Sequence, residues 1–401
     1  MATGWRPPRM GQGDVDSAIL SHCRRVAALA MEVSRMAGLP AALFHRSLDM
    51  TSLLPPLDRL ASNVGCEGEK DDGTPHGLRQ VEAVAGIVRL CSQVDQQFEA
   101  LQFGYRDVET IFDGIQRSAP GVGFDPALVE HFRSMRCRSL PQQIRRGDGL
   151  PVEARAAREV FGLLGKEREY EVLELAATAL RDPVLAASLI RVANSSLYSP
   201  ASKLSVVGQA ISYIGTVEAR KVMLAAVLRP LFASAGLARL WSHSVNAAQF
   251  GSALVGQTGI ASAEEGLMLG LVHDFGSLAI QFAPRETRDV SARLVERGCP
   301  ATYVERLLFG CDHGEIGADI LAQWNFPSHL IEAVRFHHQP ERSDGALAAI
   351  AYLVEFWSGL DEDLPSFHRV EDCLARTGLS LEAMTEITTE DGKLKTLRSL
   401  A

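Results

Sequence analysis

The stretch Glu264-Glu265-Gly266-Leu267-Met268-Leu269-Gly270-Leu271-Val272-His273-Asp274-Phe275-Gly276-Ser277-Leu278 decides how this chain is read. Its apolar run predicts a buried helix, and the run ends on an imidazole next to a carboxylate. Polar groups in such surroundings are costly unless something satisfies them, and both are good ligands for a divalent metal. His313, His337 and His338 follow and His243 precedes, so the order His243, His273-Asp274, His313, His337-His338 can converge on one site. The plainer alternative is that each histidine is separately hydrogen-bonded in a helical core, the common state of a buried polar group. That alternative weakens when all five are taken together.

Composition bounds the rest. A chain of 401 residues that is 46% hydrophobic and 22% charged is long enough for two or three domains with their own cores. A net charge of -9 argues against a nucleic-acid surface, which needs clustered Lys and Arg, and pairs such as Arg24-Arg25 and Arg145-Arg146 read as solvated faces. The 7 cysteines are odd in number and scattered, without a C-x-x-C spacing, so they suggest neither a disulfide framework nor a zinc–cysteine site. Met1 to Asp16 lacks the apolar core of a signal peptide. No apolar run reaches spanning length, since Val255 to Ile280 is interrupted by Gln257, Glu264, Glu265, His273 and Asp274. The expectation is a cytoplasmic protein without membrane segments.

Helical periodicity runs through most of the chain. Val26, Leu29, Ala30, Val33, Met36 and Ala37 form one face of a helix over Ala18 to Ala37 that Gly38 and Pro40 end. Helices are predicted over Ala41 to Leu54, Val81 to Phe103, Asp107 to Gln116 and Ala127 to Met135, the last opened by Asp125 as cap and Pro126. Ser62 to Leu78, rich in Gly, Asp and Pro, is a loop by its turn chemistry. Arg138 to Pro151 is polar and turn-rich and reads as a linker. Beyond it Asp182-Pro183 opens a helix that stops near Asn194. Ser205 caps Val206 to Ile214, Gly215 ends it, and Thr216 caps the next. Further helices are predicted over Leu240 to Gly256, Glu265 to Phe282, Thr302 to Leu308, His313 to Trp324, His329 to His337 and Leu347 to Trp357. Alternating strand patterns are nearly absent, so the fold class is all-α.

Several stretches carry a resemblance. RDPVLAASLIRVANSSLYS (Arg181 to Ser199), SVVGQAISYIGTVEARKVML (Ser205 to Leu224), LWSHSVNAA, GLVHDFGSL, CDHGEIGADILAQWNFP and AVRFHHQP together resemble the HDOD domain, a signal-output relative of the HD phosphohydrolases. SHCRRVAALAMEVSRMAGLP (Ser21 to Pro40), DGTPHGL (Asp72 to Leu78) and GVGFDPALVEHF (Gly121 to Phe132) resemble a worn HD-GYP domain, in active members a metal-dependent phosphodiesterase for cyclic di-GMP. The implied organisation is two helical domains of the HD superfamily type: an HD-GYP-like domain at 1–137, a linker at 138–151, an HDOD domain at 152–360, and a helical extension and tail at 361–401.

The departures from the HD-GYP pattern matter. His45-Arg46 stands where the family has His-Asp, and a cation there repels a metal. The His-His-Glu before the loop is replaced by Glu67, Gly68 and Glu69, and Gly-Tyr-Pro is reduced to Thr74-Pro75. Only His22 and Asp95 remain, too few for a two-metal site.

In the second domain the resemblance implies a candidate metal set of His243, His273, Asp274, His313, His337, His338 and Glu355, with Glu355 standing for the family's distal Asp. Imidazoles and carboxylates suit iron, manganese or zinc. A metal there supports a phosphohydrolase, in which it makes water nucleophilic and clamps phosphate. However, Ser277 replaces the Lys that catalytic relatives carry after the pair. HDOD domains are regarded as regulatory interaction modules. The reading is therefore a non-catalytic bacterial signalling protein that binds a protein partner or a small ligand, with a nucleotide second messenger as candidate, in a cyclic-dinucleotide-linked or stress pathway. The alternatives are the phosphohydrolase and a scaffold whose histidines are merely packed.

Overall fold

A computed structural model describes residues 12–39, 75–101, 108–137, 139–140, 171–181, 183–229, 237–324, 326–358 and 367–384. The helix predicted at Ala41 to Leu54, the His45-Arg46 and Glu67 to Glu69 positions, most of the linker and the final tail lie outside these residues. Among the described residues every regular element is helical. In chain order they are α1 (Gln12–Met36), α2 (Pro75–Leu101), α3 (Val108–Val122), α4 (Val129–Met135), α5 (Val172–Ala179), α6 (Pro183–Ala193), α7 (Val207–Ile214), α8 (Thr216–Leu228) and α9 (Ala238–Thr258). There follow α10 (Ala263–Val272), α11 (Phe275–Ile280), α12 (Arg285–Glu296), α13 (Ala301–Phe309), α14 (His313–Gln323), α15 (Ser328–Arg335), α16 (Ala346–Ser358) and α17 (Phe367–Thr377).

These helices group into two compact units. The first comprises residues 1–138 together with 284–310, and the second 139–283 together with 311–401. Within the first, the stripe Val26, Leu29, Ala30 and Val33 on α1 is buried with Leu90 and Val94 of α2, as the period of the apolar residues requires. Phe112 of α3 has no exposed surface and lies 5.9 Å from Phe98 and 6.0 Å from Phe132, ring centre to ring centre. Asp125 accepts a hydrogen bond from the Ala127 amide at 2.8 Å, so the Asp-Pro start forms, here as a 3-10 turn (Pro126–Leu128) leading into α4.

The second piece of the first unit, α12 and α13, is tied to α1 by ion pairs. The Glu32 side chain is fully buried, and its carboxylate accepts from Arg293 Nη2 at 2.7 Å and Arg297 Nη1 at 3.3 Å. Burial pushes the Glu32 pKa up, but the hydrogen bonds and charges of Arg293 and Arg35 outweigh it and bring it to about 2.

In the second unit, Asn194 follows α6 and closes the loop to Leu204: its Oδ1 accepts from the Leu204 amide and its Nδ2 donates to the Leu204 and Ile190 carbonyls. Gly215 sits at φ 87 between α7 and α8, a conformation glycine adopts without the Cβ penalty. Two expected caps are corrected. Val206, not Ser205, holds the N-cap position of α7, and Gly215 rather than Thr216 holds that of α8, neither with a side-chain bond.

The helix expected over Glu265 to Phe282 is corrected as well. It is two helices, α10 and α11, broken at His273 and Asp274. The α10 start comes earlier than expected, at a capping box in which Ser262 Oγ accepts from the Glu265 amide and Glu265 accepts from the Ser262 amide.

Candidate metal centre

The centre begins with small residues. A Cβ on Gly266 or Gly251 would run into the backbone of the other, and one on Gly270 into the backbone of Ala247 and Ala248. At these positions α9 and α10 therefore cross in backbone contact. His243 lies one turn before Ala247 on α9, and His273 follows α10 directly, so the crossing brings their Nε2 atoms to 3.0 Å.

A second close approach places the other side of the centre. A Cβ on Gly276 would meet the His313 backbone, so α11 and α14 also touch through main chain, in the first turn after the break at His273-Asp274. Asp274 becomes the residue before α11, with its side chain released from capping. His313 opens α14, and Asp312 caps it in a second capping box with Glu315. His337 and His338 follow α15, and Glu355 lies on α16.

All seven sequence candidates converge. In the first group, Glu355 Oε2 lies 3.2 Å from His243 Nε2 and 3.0 Å from His273 Nε2, while Asp274 Oδ2 lies 3.3 Å from His243 Nε2. In the second, His313 Nε2 lies 3.2 Å from His337 Nε2 and 2.7 Å from His338 Nε2. Within each group the ligand-type atoms lie within 4.8 Å of one another. Asp274 is common to both, because its Oδ1 lies 3.4 Å from His313 Nε2 and 3.5 Å from His273 Nε2.

The donor set fits a divalent cation. His273 Nδ1 is 2.9 Å from the Gly270 carbonyl and His337 Nδ1 is 2.6 Å from that of Val334. A carbonyl only accepts, so a proton sits on each Nδ1 and each Nε2 turns into the cluster. Two imidazole Nε2 atoms at 3.0 Å repel unless one of them carries a proton or both face a metal.

Without metal that role falls to His243. Burial pushes its pKa down, but Asp274 and Glu355 outweigh burial and raise it to about 10. Burial alone would raise both carboxyls; His273, His243 and His313 instead hold Asp274 well below the usual carboxylate range, and His243 and His273 hold Glu355 below it. His337 is lowered to about 4, first by burial and then by the charges of His313 and His273. His338 falls well below the ordinary imidazole value through burial and its histidine neighbours. The cluster is nearly enclosed: Asp274 and Glu355 are each 7% exposed.

Sequence reasoning missed the glycines that make the two crossings. Their signal was the small-residue spacing of Gly266, Gly270 and Gly276 within the opening stretch. In the first unit, His22 Nδ1 lies 2.5 Å from Asp95 Oδ2, and Arg25 Nε also donates to Asp95 Oδ1 at 2.6 Å. Among the described residues the two groups in the second unit are the His/Cys/Asp/Glu clusters suited to a metal.

Residues 150–340 match the HDOD domain family. An uncharacterised protein of Treponema pallidum (strain Nichols) is 22% identical over 237 residues, which cover 54% of this chain and 46% of that one, so the match spans about half of the relative. Among solved structures, an HDOD domain protein of unknown function from Geobacter sulfurreducens superposes with a TM-score of 0.55 at 23% identity, over 65% of this chain and 97% of that one. A Shewanella amazonensis SB2B protein, described as a proposed phosphohydrolase, superposes with a TM-score of 0.53 at 20% identity, over 67% of this chain and 100% of that one. At these identities the likeness establishes a shared helical fold.

Proposed function

We propose, starting from an HDOD domain at residues 150–340, that this is a signal-transduction protein whose HDOD unit holds divalent metal in the His/Asp/Glu cluster and uses that unit for recognition rather than turnover. The observation that carries the reading is Asp274, whose two carboxylate oxygens face both groups of imidazoles. His243, His273, Asp274 and Glu355 would hold one ion, and Asp274, His313, His337 and His338 a second. Iron, manganese and zinc all suit these ligands.

Recognition rather than catalysis is supported by enclosure and by charge. Six of the seven ligands are buried and His338 is part-buried, leaving a phosphodiester little approach, and Ser277 supplies no cation for substrate phosphate. The first unit fits the reading of a worn HD-GYP-like domain, because the Arg25 guanidinium occupies the Asp95 carboxylate where a metal would otherwise be drawn. The protein then acts in the cytoplasm on a protein partner or a nucleotide second messenger, in a cyclic-dinucleotide-linked or stress pathway. Among the described residues no helix is long and apolar enough to cross a membrane.

A second reading, a metal-dependent phosphohydrolase, is favoured by the same bridging carboxylate, since a bound metal pair supplies an activated water and a phosphate clamp. The two part on one assay. Full-length protein loaded with manganese, iron or zinc is incubated with bis-p-nitrophenyl phosphate and with cyclic dinucleotides. The recognition reading expects bound metal without hydrolysis. Hydrolysis abolished in Asp274→Ala establishes the second reading instead, and absence of bound metal overturns both.

A further inference from the structure

Helix α17 lies beyond residues 150–340, the stretch shared with the HDOD family, and it supplies no member of the cluster. What it touches is the loop 336–345, which leads from α15 to α16 and carries His337 and His338. We propose that Arg369 of α17 is a positioning residue for His338, holding that ligand's main chain so that its ring faces His313, and that metal affinity depends on this hold. The ligand comes from the metal reading above, on which this inference rests, and the hold itself can be tested without metal.

His338 needs such support more than its neighbours do. His313 is the first residue of α14, fixed by the capping box and by backbone contact with Gly276. His337 is fully buried, and its Nδ1 is held at 2.6 Å by the Val334 carbonyl. His338 is part-buried, the least enclosed of the seven candidates, and stands past the end of α15 at Arg335. Its Nε2 nevertheless sits 2.7 Å from that of His313. The loop that carries it decides whether it stays there.

Two arginines of α17 hold that loop by its carbonyl oxygens. Val370, Cys373 and Thr377 are the buried face of α17, which packs on α16. Arg369 and Arg376, about two turns apart, reach from the same helix to the loop. Arg369 Nη1 donates to the His338 carbonyl at 3.3 Å and Nη2 to Glu341 Oε1 at 2.9 Å, with the guanidinium 5.7 Å from the ring centre of Tyr352 on α16. Arg376 Nη1 donates to the Pro340 carbonyl at 2.7 Å and Nη2 to that of Ser343 at 2.7 Å. A guanidinium offers five donors in fixed directions, so one side chain pins several acceptors at once. Arg376 secures the far end of the loop, while the Arg369 bond is made to a ligand residue itself. If α17 merely packed, loss of Arg369 would lower stability and leave the metal affinity of the folded protein unchanged.

The test compares full-length wild type with Arg369→Met, which keeps an unbranched stem near Tyr352 but no donor, with His338→Ala, and with the double variant. Hydrogen–deuterium exchange on the metal-free proteins comes first. The amides of Gln339, Arg342 and Ser343 are hydrogen-bonded within the loop, and their exchange is expected to rise about tenfold in Arg369→Met while 238–258 stays at the wild-type rate. Zinc titration follows. Arg369→Met should weaken the weakest-bound equivalent about tenfold, the lower end for losing support behind a ligand, and should add nothing on top of His338→Ala. Unchanged loop exchange overturns the proposal. So does unchanged zinc affinity, or a loss of the same size in the His338→Ala background, since Arg369 then does not act through His338. Should Arg369→Met raise exchange along the whole chain, Glu341→Ala, which frees the guanidinium without removing it, decides: a rise confined to the loop supports the hold, and any other pattern overturns it. A wild type that takes up no zinc defeats the metal reading, and the loop exchange alone then decides whether Arg369 holds His338.

Discussion

Metal binding to this cluster must displace a proton, and the size of the effect follows from His243. Its pKa of about 10, against an ordinary 6.5, means that the metal-free protein carries an imidazolium between Asp274 and Glu355 at neutral pH. A metal needs that Nε2 lone pair, so binding in the first group releases at least one proton. His337, lowered to about 4, is already neutral and adds none. Since pH 7 lies roughly three units below that pKa, displacing the proton is a handicap of about 4 kcal/mol, or three decades of affinity. Apparent affinity should therefore rise by about one decade per pH unit between pH 6.5 and 8.5.

Isothermal titration with zinc at pH 7.5, in two buffers of different ionisation enthalpy, reads the released proton directly. A chelator competition across the pH range reads the slope. The sign also constrains the metal-free protein: a raised imidazole pKa contributes stability that is complete below pH 6.5 and is lost as pH rises through about 10. Zinc binding that releases no proton and shows no slope would refute the assignment of His243 as the group that substitutes for the metal.

Three further outcomes are expected. Gly270→Ala forces a methyl group into the Ala247 backbone, so urea denaturation should show a loss of about 1–3 kcal/mol, and zinc affinity should fall because His243 and His273 are pushed apart. The stability difference between wild type and Glu32→Gln should be about 2 kcal/mol at pH 7, after discounting for the partly exposed arginines. It should shrink as pH falls from 4.5 through about 2, where the wild-type carboxyl itself becomes protonated; chemical denaturation across that range measures it. Asp312→Ala removes the cap of α14 and should lower the unfolding midpoint by the equivalent of about 1 kcal/mol.

The all-helical class was legible because apolar residues recur at helical spacing through most of the chain, as in Val26, Leu29, Ala30 and Val33. The histidines and Asp274 stood out by residue type and order, whereas Glu355 entered only through the HDOD resemblance; its Oε2 lies 3.0 Å from His273 Nε2. The break inside the opening stretch was not legible. The apolar run continues through the break, and the backbone approach of Gly276 to His313 that accompanies it joins residues 37 apart in sequence, which no local pattern encodes.

Helix α12 was missed for a different reason. Its apolar signal is thin, with Thr287, Val290 and Leu294 as its buried residues on an otherwise charged helix. Its place in the first unit depends on Arg293 and Arg297 meeting a glutamate more than 250 residues earlier, which no periodicity encodes. The cap at Ser262 was readable, since Ser262-x-x-Glu265 is the sequence form of the box that the structure contains.

The central claim is that the second unit holds metal through Asp274, and counting metal tests it most directly. Wild type and Asp274→Ala are purified without chelator, reconstituted with iron, manganese and zinc in turn, desalted, and counted by inductively coupled plasma mass spectrometry, with circular dichroism as the check on folding. The account expects about one to two equivalents of one metal in the wild type and a loss of at least one in the variant. Well-folded wild type without stoichiometric metal under all three conditions, or a folded variant that retains the full complement, would contradict it.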